Sequence, residues 1–359
     1  LYIHIPFCVR KCSYCDFLSA PATEQTREAY MAALFAEIGG RAKDYSDRTV
    51  TSIFIGGGTP SLLSGEQIGQ LMDRIREQFA MAQDAEITME VNPGTASAEK
   101  LRNFYTAGIN RLSIGMQSAQ AEELKNLGRI HDFEGFCQVY REAVEAGFTN
   151  INVDIMSGLP GQTLASYRDT LEKVLHLEPM PQHISAYSLI VEEGTPFAAM
   201  AERGELPLPE EETERAMYEE TIEVLAKYGF HRYEISNYAR DGYECRHNVG
   251  YWIRRDYLGF GIGAASLIDN VRFQNEKSLG AYLAHPLESR EEEQTLTVQD
   301  RMEETMFLGL RLTRGVSCVD FAEQYGRTVE EVYGEVIARN VADGLLTVTE
   351  RKETVSYTH

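Results

Sequence analysis

The chain has 359 residues, of which 43% are hydrophobic and 25% charged, and its formal net charge is −21. This composition is typical of a globular protein, and the length favours one large domain with a smaller one. A chain so negative repels phosphate backbones and anionic lipids, so nucleic acid is not an expected partner. The charge suits a basic docking partner, but a simply solvated acidic surface is the favoured explanation. No run of eighteen apolar residues occurs, so the sequence predicts no membrane-spanning helix.

The first half of the chain alternates short apolar runs with amphipathic stretches. The predicted strands are apolar on both faces, as parallel strands covered by helices are. They are Leu1–Phe7, Thr51–Ile55, Ile87–Val91, Arg111–Met116, Asn150–Ile155 and His183–Ile190. The helices predicted between them are Thr26–Arg41, Gly65–Phe79, Ala98–Ala107, Phe133–Ala146 and Leu164–Leu177. These β–α units predict an α/β fold, a partial parallel (β/α)6 barrel over residues 1–205.

The alternation stops after Glu192. Residues 206–292 predict an accessory segment with extra β elements, namely a helix over Glu210–Tyr228 and strands over Arg232–Tyr238 and Tyr257–Phe260. Residues 293–359 predict a small helical C-terminal domain with a winged-helix-like outline. Its expected elements are helices Arg301–Leu312, Cys318–Tyr325 and Val329–Asp343 and strands Leu345–Thr349 and Thr354–Tyr357. Because this segment is net acidic, we do not expect it to recognise DNA.

Three of the six cysteines lie within eight residues of each other, directly after the first strand: Cys8, Cys12 and Cys15. Three thiolates in one loop can hold a four-iron cluster and leave one iron open for chemistry. Zinc is the alternative metal, but a structural zinc site takes four ligands, so Cys137 or His131 would have to complete it. The remaining cysteines are scattered, which favours a reducing, cytoplasmic location over a disulfide scaffold.

Polar residues and glycines follow the other predicted strands. The second strand ends in Gly56-Gly57-Gly58-Thr59, and Glu90, Gln117 and Asp154 lie at or near the ends of the next three. The carboxyl ends of parallel strands meet at one edge, so we expect these residues to share a ligand site. Each of them alone is equally compatible with a tight turn, a cap or an ion pair.

The spacing C-x3-C-x2-C, with Tyr14 before the third cysteine, resembles the signature of the radical SAM superfamily. The resemblance implies a [4Fe–4S] cluster on the three cysteines, with S-adenosylmethionine (SAM) on the open iron. It implies that nine residues form the SAM site: Tyr2, Tyr14, Gly57, Gly58, Thr59, Glu90, Gln117, Arg129 and Asp154. In this assignment the tyrosine of the cysteine motif lies beside the adenine and the glycines hold the methionine end. The first strand's tyrosine lies near cluster and substrate. A side chain at either glycine is expected to occupy ligand space.

Longer runs narrow the resemblance to one family. Tyr2-Ile-His-Ile-Pro-Phe-Cys8 and Asp154-Ile-Met-Ser-Gly-Leu-Pro-Gly-Gln162 resemble the oxygen-independent coproporphyrinogen III dehydrogenase family, which includes a branch of heme chaperones. The dehydrogenase usually has a fourth cysteine two residues after the third. Phe17 occupies that position here. This departure favours the chaperone branch.

A second motif also favours the chaperone branch. Cys245-Arg-His247-Asn248-Val-Gly-Tyr251-Trp252 matches the HNxxYW motif that is associated with heme binding there. The resemblance implies that His247 or Cys245 ligates heme iron and that Tyr251 and Trp252 give the porphyrin a flat apolar contact. The alternative is a hydrogen-bonded histidine in a packed loop.

The expected function is therefore that of a heme chaperone, which binds heme and delivers it to acceptor heme proteins of respiration. The alternatives are radical decarboxylation of coproporphyrinogen III and radical SAM chemistry on another substrate class. The expected cofactors are the [4Fe–4S] cluster, SAM and heme. The expected partners are heme acceptors at the membrane, an electron donor such as a flavodoxin or ferredoxin, and a second copy of the chain. Membrane contact is expected only through a partner.

Overall fold

A computed structural model of the chain describes residues 1–288, 290–348 and 353–356. Its centre is a sheet in which six parallel strands follow one another in chain order. These strands are β1 (Tyr2–Ile5), β2 (Thr49–Gly57), β3 (Ala80–Val91), β4 (Arg111–Gln117), β5 (Ile151–Ser157) and β6 (His183–Ser188). The predicted α/β fold with a partial, open arrangement of six β–α units is confirmed, and each of the six strands predicted in the first half of the chain has its counterpart.

Helices connect these strands and cover the sheet. They are α1 (Glu24–Arg41), α2 (Gly65–Gln78), α3 (Ala98–Thr106), α4 (Ala121–Leu127), α5 (Phe133–Glu145) and α6 (Leu164–Leu175). Helix α2 illustrates how the sequence encodes them. Ser64 and Gln67 form a reciprocal capping box at its start, and its buried stripe runs from Ile68 to Ile75. Helix α4 was not predicted, because seven residues are too few to show a helical period.

The parallel pairing brings all the strand ends to one edge of the sheet. Tyr2 pairs with Phe54, and the register continues through Ile55–Met89 and Met89–Leu112. The loop after β1 therefore opens beside the glycines after β2 and the polar residues that end β3 and β4. This edge is where barrel folds of this kind place their ligand sites.

The segment after β6 extends the sheet at both edges. It contains α7 (Pro196–Glu202), α8 (Glu211–Lys227), β7 (His231–Arg232), β8 (Asn237–Ala239), α9 (Arg246–Trp252), β9 (Gly259–Phe260), β10 (Ala265–Ile268), β11 (Val271–Asn275), α10 (Leu279–Ala284) and β12 (Arg290–Thr295). Strand β8 pairs antiparallel with β6, and β9 pairs parallel with β1. The single strand predicted over Arg232–Tyr238 is a hairpin instead, because the Glu234 carboxylate accepts hydrogen bonds at its turn from Ser236 and Asn237.

The C-terminal part has its own small hydrophobic cluster, which includes Met302, Phe321 and Val329. Its elements are α11 (Val298–Gly309), β13 (Val316–Ser317), α12 (Cys318–Tyr325), α13 (Val329–Ala342), β14 (Leu346–Val348) and β15 (Glu353–Ser356). The predicted helices and hairpin are present, while the predicted strand ends Thr349 and Tyr357 lie outside the described residues. No helix in the described ranges is long and apolar enough to cross a membrane.

Candidate functional site

The loop that carries Cys8, Cys12 and Cys15 is held by the loop after α4. Ser13 N donates to Leu127 O over 3.1 Å, and Arg10 Nη2 donates to Gly128 O over 2.6 Å. On the other side, Cys8 N donates to the carbonyl oxygen of Ala20. Contacts from distant parts of the chain therefore fix a loop that has little regular structure of its own. We call residues 8–19 the cluster loop.

Two polar side chains contact the cysteine sulfurs directly. Thr59 Oγ1 donates to Cys8 Sγ over 3.4 Å, and Arg129 Nη1 donates to Cys12 Sγ over 3.8 Å. The pKa of the Cys15 thiol is raised, mainly because the thiol is buried. The guanidinium of Arg129 places positive charge beside a sulfur that would carry negative charge as a cluster ligand. The sequence assigned Arg129 to the SAM site, and the structure shows that its side chain also contacts the cluster loop at Cys12.

The structure does not bring Cys137 to these cysteines. Cys137 lies on α5, where Glu134, Arg141 and Lys173 are its charged neighbours. His131 Nε2 lies 3.3 Å from Met116 O. Within the described part of the chain, no three His, Cys, Asp or Glu side chains converge on one point as ligands of a single ion would. A four-iron cluster takes its thiolates on separate irons, so it does not need such convergence.

The glycines at the end of β2 are required by the protein itself, which adds a second reason to the one expected from the sequence. Gly57 has a φ of 109°, and a Cβ there would lie 2.4 Å from the His4 ring. A Cβ on Gly58 would lie 2.8 Å from backbone atoms of Ile5 and Phe7. Side chains at these positions would therefore collide with β1 and with Phe7, which follows it.

Two carboxylates face the same space inside the sheet edge. Glu90 Oε2 accepts a hydrogen bond of 3.0 Å from Gly57 N. Burial, followed by repulsion from Asp154, raises the pKa of Glu90 to about 7. Burial also raises the pKa of Asp154, against hydrogen bonds that include one of 2.7 Å from Asn152 Nδ2. Both carboxyl groups suit a cationic ligand, which would offset the cost of keeping them charged here.

A cationic and a neutral polar side chain lie at the same space as these two carboxylates. Arg129 Nε is buried and has no hydrogen-bond partner among the described residues, so it can serve an anionic ligand group. Gln117 has a backbone φ of 69°, a value that residues other than glycine rarely adopt. Its side-chain oxygen accepts a hydrogen bond from the Tyr187 hydroxyl. SAM has a sulfonium, an ammonium and a carboxylate, so these residues fit it. Sequence reasoning missed Tyr187, although it lies near the end of the predicted strand His183–Ile190.

The two tyrosines assigned to SAM lie on either side of this space. Tyr14 lies close to Arg129, Cys12 and Cys15. Tyr2 lies near Glu90 and Tyr251, and its hydroxyl shares a hydrogen bond of 3.0 Å with His4 Nδ1. The structure therefore brings all nine residues that were assigned to SAM to the edge that holds the cluster loop.

The HNxxYW motif forms helix α9 and not a loop. His247 shares hydrogen bonds with Ser52 Oγ through Nδ1, at 2.9 Å, and with the Tyr251 hydroxyl through Nε2, at 3.0 Å. Its ring stacks on Phe54 with a centroid distance of 5.3 Å. The fully buried Cys245 donates its thiol hydrogen to Glu86. Ligation of heme iron by either residue therefore requires an existing hydrogen bond to break.

The motif's aromatic residues point to different surroundings. Trp252 packs under the guanidinium of Arg311, 4.3 Å from its ring, close to the C-terminal part. Tyr251 instead stacks edge-to-face on Tyr257, with a centroid distance of 4.7 Å. Asn248 is half-buried on the same helix. The structure does not bring Tyr251 and Trp252 together as one flat surface.

Comparison with known proteins agrees with this geometry. The radical SAM superfamily model matches residues 2–174, and the HemN C-terminal domain model matches residues 296–352. The heme chaperone HemW of Bacillus subtilis is 40% identical over 96% of this chain and 92% of that protein. This chain belongs to the HemW family of radical SAM proteins. The HemW of Escherichia coli is 37% identical over 97% of this chain and 91% of that protein.

The solved structures give the same relationship. The coproporphyrinogen III oxidase HemN of Escherichia coli, a radical SAM enzyme, matches with a TM-score of 0.85 and 28% identity. The match covers 99% of this chain and 85% of that one. The family and the fold inferred from the sequence are thereby confirmed.

Proposed function

We propose that this protein is a heme chaperone, which binds heme and delivers it to acceptor heme proteins of respiration. The observation that carries the proposal is the similarity to curated HemW chaperones from several bacteria, at 36–40% identity over nearly the whole chain. Phe17 supports it, because it stands where the dehydrogenase has its fourth cysteine.

The chain's own residues would hold the proposed cofactors as follows. Cys8, Cys12 and Cys15 would bind a [4Fe–4S] cluster, and Arg129 would balance its negative charge. Glu90 and Asp154 would bind the cationic groups of SAM. Together the cluster and SAM supply one-electron chemistry when bound. Tyr2, Tyr14, Gly57, Gly58, Thr59 and Gln117 would complete the SAM site.

For heme, we propose that Tyr251 makes the contact from the HNxxYW motif. His247, Cys245, Asn248 and Trp252 would support the helix that presents it. The hydrogen bonds of His247 and the burial of Cys245 favour this division over direct iron ligation.

Decarboxylation of coproporphyrinogen III is the second candidate, and the match to HemN favours it. An anaerobic assay separates the two functions. Cluster-loaded protein with SAM and a reductant should bind heme, followed by absorbance, and should form no protoporphyrinogen IX from coproporphyrinogen III. Turnover of coproporphyrinogen III would overturn the chaperone proposal.

The proposed setting is the cytoplasm, with contact to the membrane only through a heme acceptor. The chain's net charge of −21 favours a basic face on that acceptor. Heme transfer should then slow as salt rises, because screening weakens attraction between exposed charges. A flavodoxin or ferredoxin would supply electrons, and a second copy of the chain is a further proposed partner. A heme-transfer rate that does not depend on salt would contradict the proposed basic face of the acceptor and would leave the chaperone proposal unchanged.

A further inference from the structure

A cavity of about 730 Å³ opens between the cluster loop and the β10–β11 hairpin. This volume lies within the roughly 300–1,000 Å³ range of small-molecule sites. Tyr2 and His4 of β1 contribute to its lining, so it adjoins the edge described above. Neither the cysteine motif nor the assigned SAM residues explain most of this lining.

The cavity presents apolar and aromatic side chains from two distant parts of the chain, each forming a part of its wall. Phe17 and Leu18 of the cluster loop remain 62% and 37% exposed, although both are apolar. Tyr251 and Tyr257, packed edge-to-face on each other, supply the other part of the wall. Exposed apolar side chains around a concave space mark a binding site, and ring faces favour a flat, conjugated ligand.

Charge at the cavity favours carboxylates on that ligand. Lys11 and Lys277 both line it and are exposed, in a chain whose net charge is −21. Lys11 Nζ also donates to Phe17 O over 3.0 Å, which ties the cation to the aromatic wall. The remaining charged lining residue is Asp16. Two ammonium groups match the two propionates of heme, because ammonium groups bind carboxylates as point charges. Coproporphyrinogen III has four propionates, and its macrocycle is neither conjugated nor flat, so it matches this lining less well.

We propose that heme binds in this cavity, with its ring between Phe17 and Tyr251 and its propionates at Lys11 and Lys277. The inference rests on the proposed chaperone function and gives that function a location. It makes Phe17, the residue that replaces the dehydrogenase's fourth cysteine, a direct heme contact. It leaves His247, Cys245 and Trp252 outside the site.

Titration of the cluster-loaded full chain with hemin tests the proposal. Phe17→Ser and Lys277→Glu should each weaken hemin binding by about tenfold, the loss expected for one ring contact or one charge pair. Phe307→Ser and Lys227→Glu are the matched controls, since Phe307 is 59% exposed on α11 and Lys227 is exposed at the end of α8. Both controls should bind hemin as the unmodified protein does. Iron content per chain monitors the cluster in each variant, and Lys277 lies outside the cluster loop.

The dimethyl ester of hemin, which lacks propionate charge, provides a second arm. Lys277→Glu should weaken hemin binding and leave ester binding unchanged, while Phe17→Ser should weaken both. Suppose that the unmodified protein binds hemin and that both cavity variants bind it with an affinity within about twofold of the same value. This result would overturn the proposed location and leave the chaperone function standing. Failure of the unmodified protein to bind hemin would overturn the chaperone function itself.

Discussion

Gly57 N donates a hydrogen bond of 3.0 Å to Glu90 Oε2, which joins the glycine turn after β2 to the acid that ends β3. Despite this bond, burial and the nearby Asp154 raise the pKa of Glu90 to about 7. Glu90 therefore changes charge within the physiological pH range.

SAM binding should consequently depend on pH. Above pH 7 the ionised Glu90 attracts the cationic groups of SAM, and below pH 7 protonation removes that attraction. We expect affinity at pH 6 to be weaker than at pH 8 by roughly threefold to tenfold, as calorimetry would measure. Glu90→Gln should lower the affinity at pH 8 and flatten the pH profile. The exposed Glu77→Gln should change neither, and an unchanged profile in Glu90→Gln would contradict the role of Glu90.

Gly58→Ala should destabilise the protein. The added Cβ would lie 2.8 Å from backbone atoms of Ile5 and Phe7, which cannot move aside as a flexible side chain could. We expect a loss of about 2 kcal/mol or more in the free energy of unfolding, measured by thermal melting. Gly69→Ala on α2 is the control, because nothing lies within 4 Å of its Cβ position. It should stabilise the helix by about 0.5–1 kcal/mol. A Gly58→Ala protein of normal stability that fails only to bind SAM would contradict the steric explanation and favour the expectation that the side chain occupies ligand space.

Cys12→Ala should abolish the cluster. After anaerobic reconstitution, the unmodified protein should contain about four irons per chain, and this variant should contain essentially none. Cys137→Ala serves as the control and should retain its iron, because Cys137 lies on α5 away from the cluster loop. An intact cluster in Cys12→Ala would refute the assignment of the three cysteines.

His247→Ala should reduce stability without changing the heme absorbance spectrum. The substitution removes two hydrogen bonds and a stacked ring contact, which together contribute about 2 kcal/mol or more. Burial also lowers the pKa of His247 well below its usual value, so the ring is neutral in this site. His285→Ala, at a largely exposed histidine, is the control. A changed heme spectrum at unchanged stability would instead identify His247 as an iron ligand.

The sequence alone determined the β–α elements of the first half of the chain and the local spacing of the cysteine motif. Strands such as β4 and helices such as α2 follow from local apolar periodicity and capping residues, which act over a few neighbouring positions. The spacing of Cys8, Cys12 and Cys15 is equally local, so it could be recognised without a structure. Parallel pairing then implied that Glu90 and Asp154 would share one edge.

Only the tertiary structure decided which side chains meet. Arg129 reaches Cys12 across 117 positions of sequence, and His247 reaches Ser52 across 195. Such partners depend on strand register and on how helices pack across the sheet, and no local pattern records either. The same reason explains why the sequence left open whether His247 ligates heme iron or is hydrogen-bonded within the protein. In the fold the HNxxYW motif is a packed helix whose Tyr251 alone among its named residues lines the large cavity.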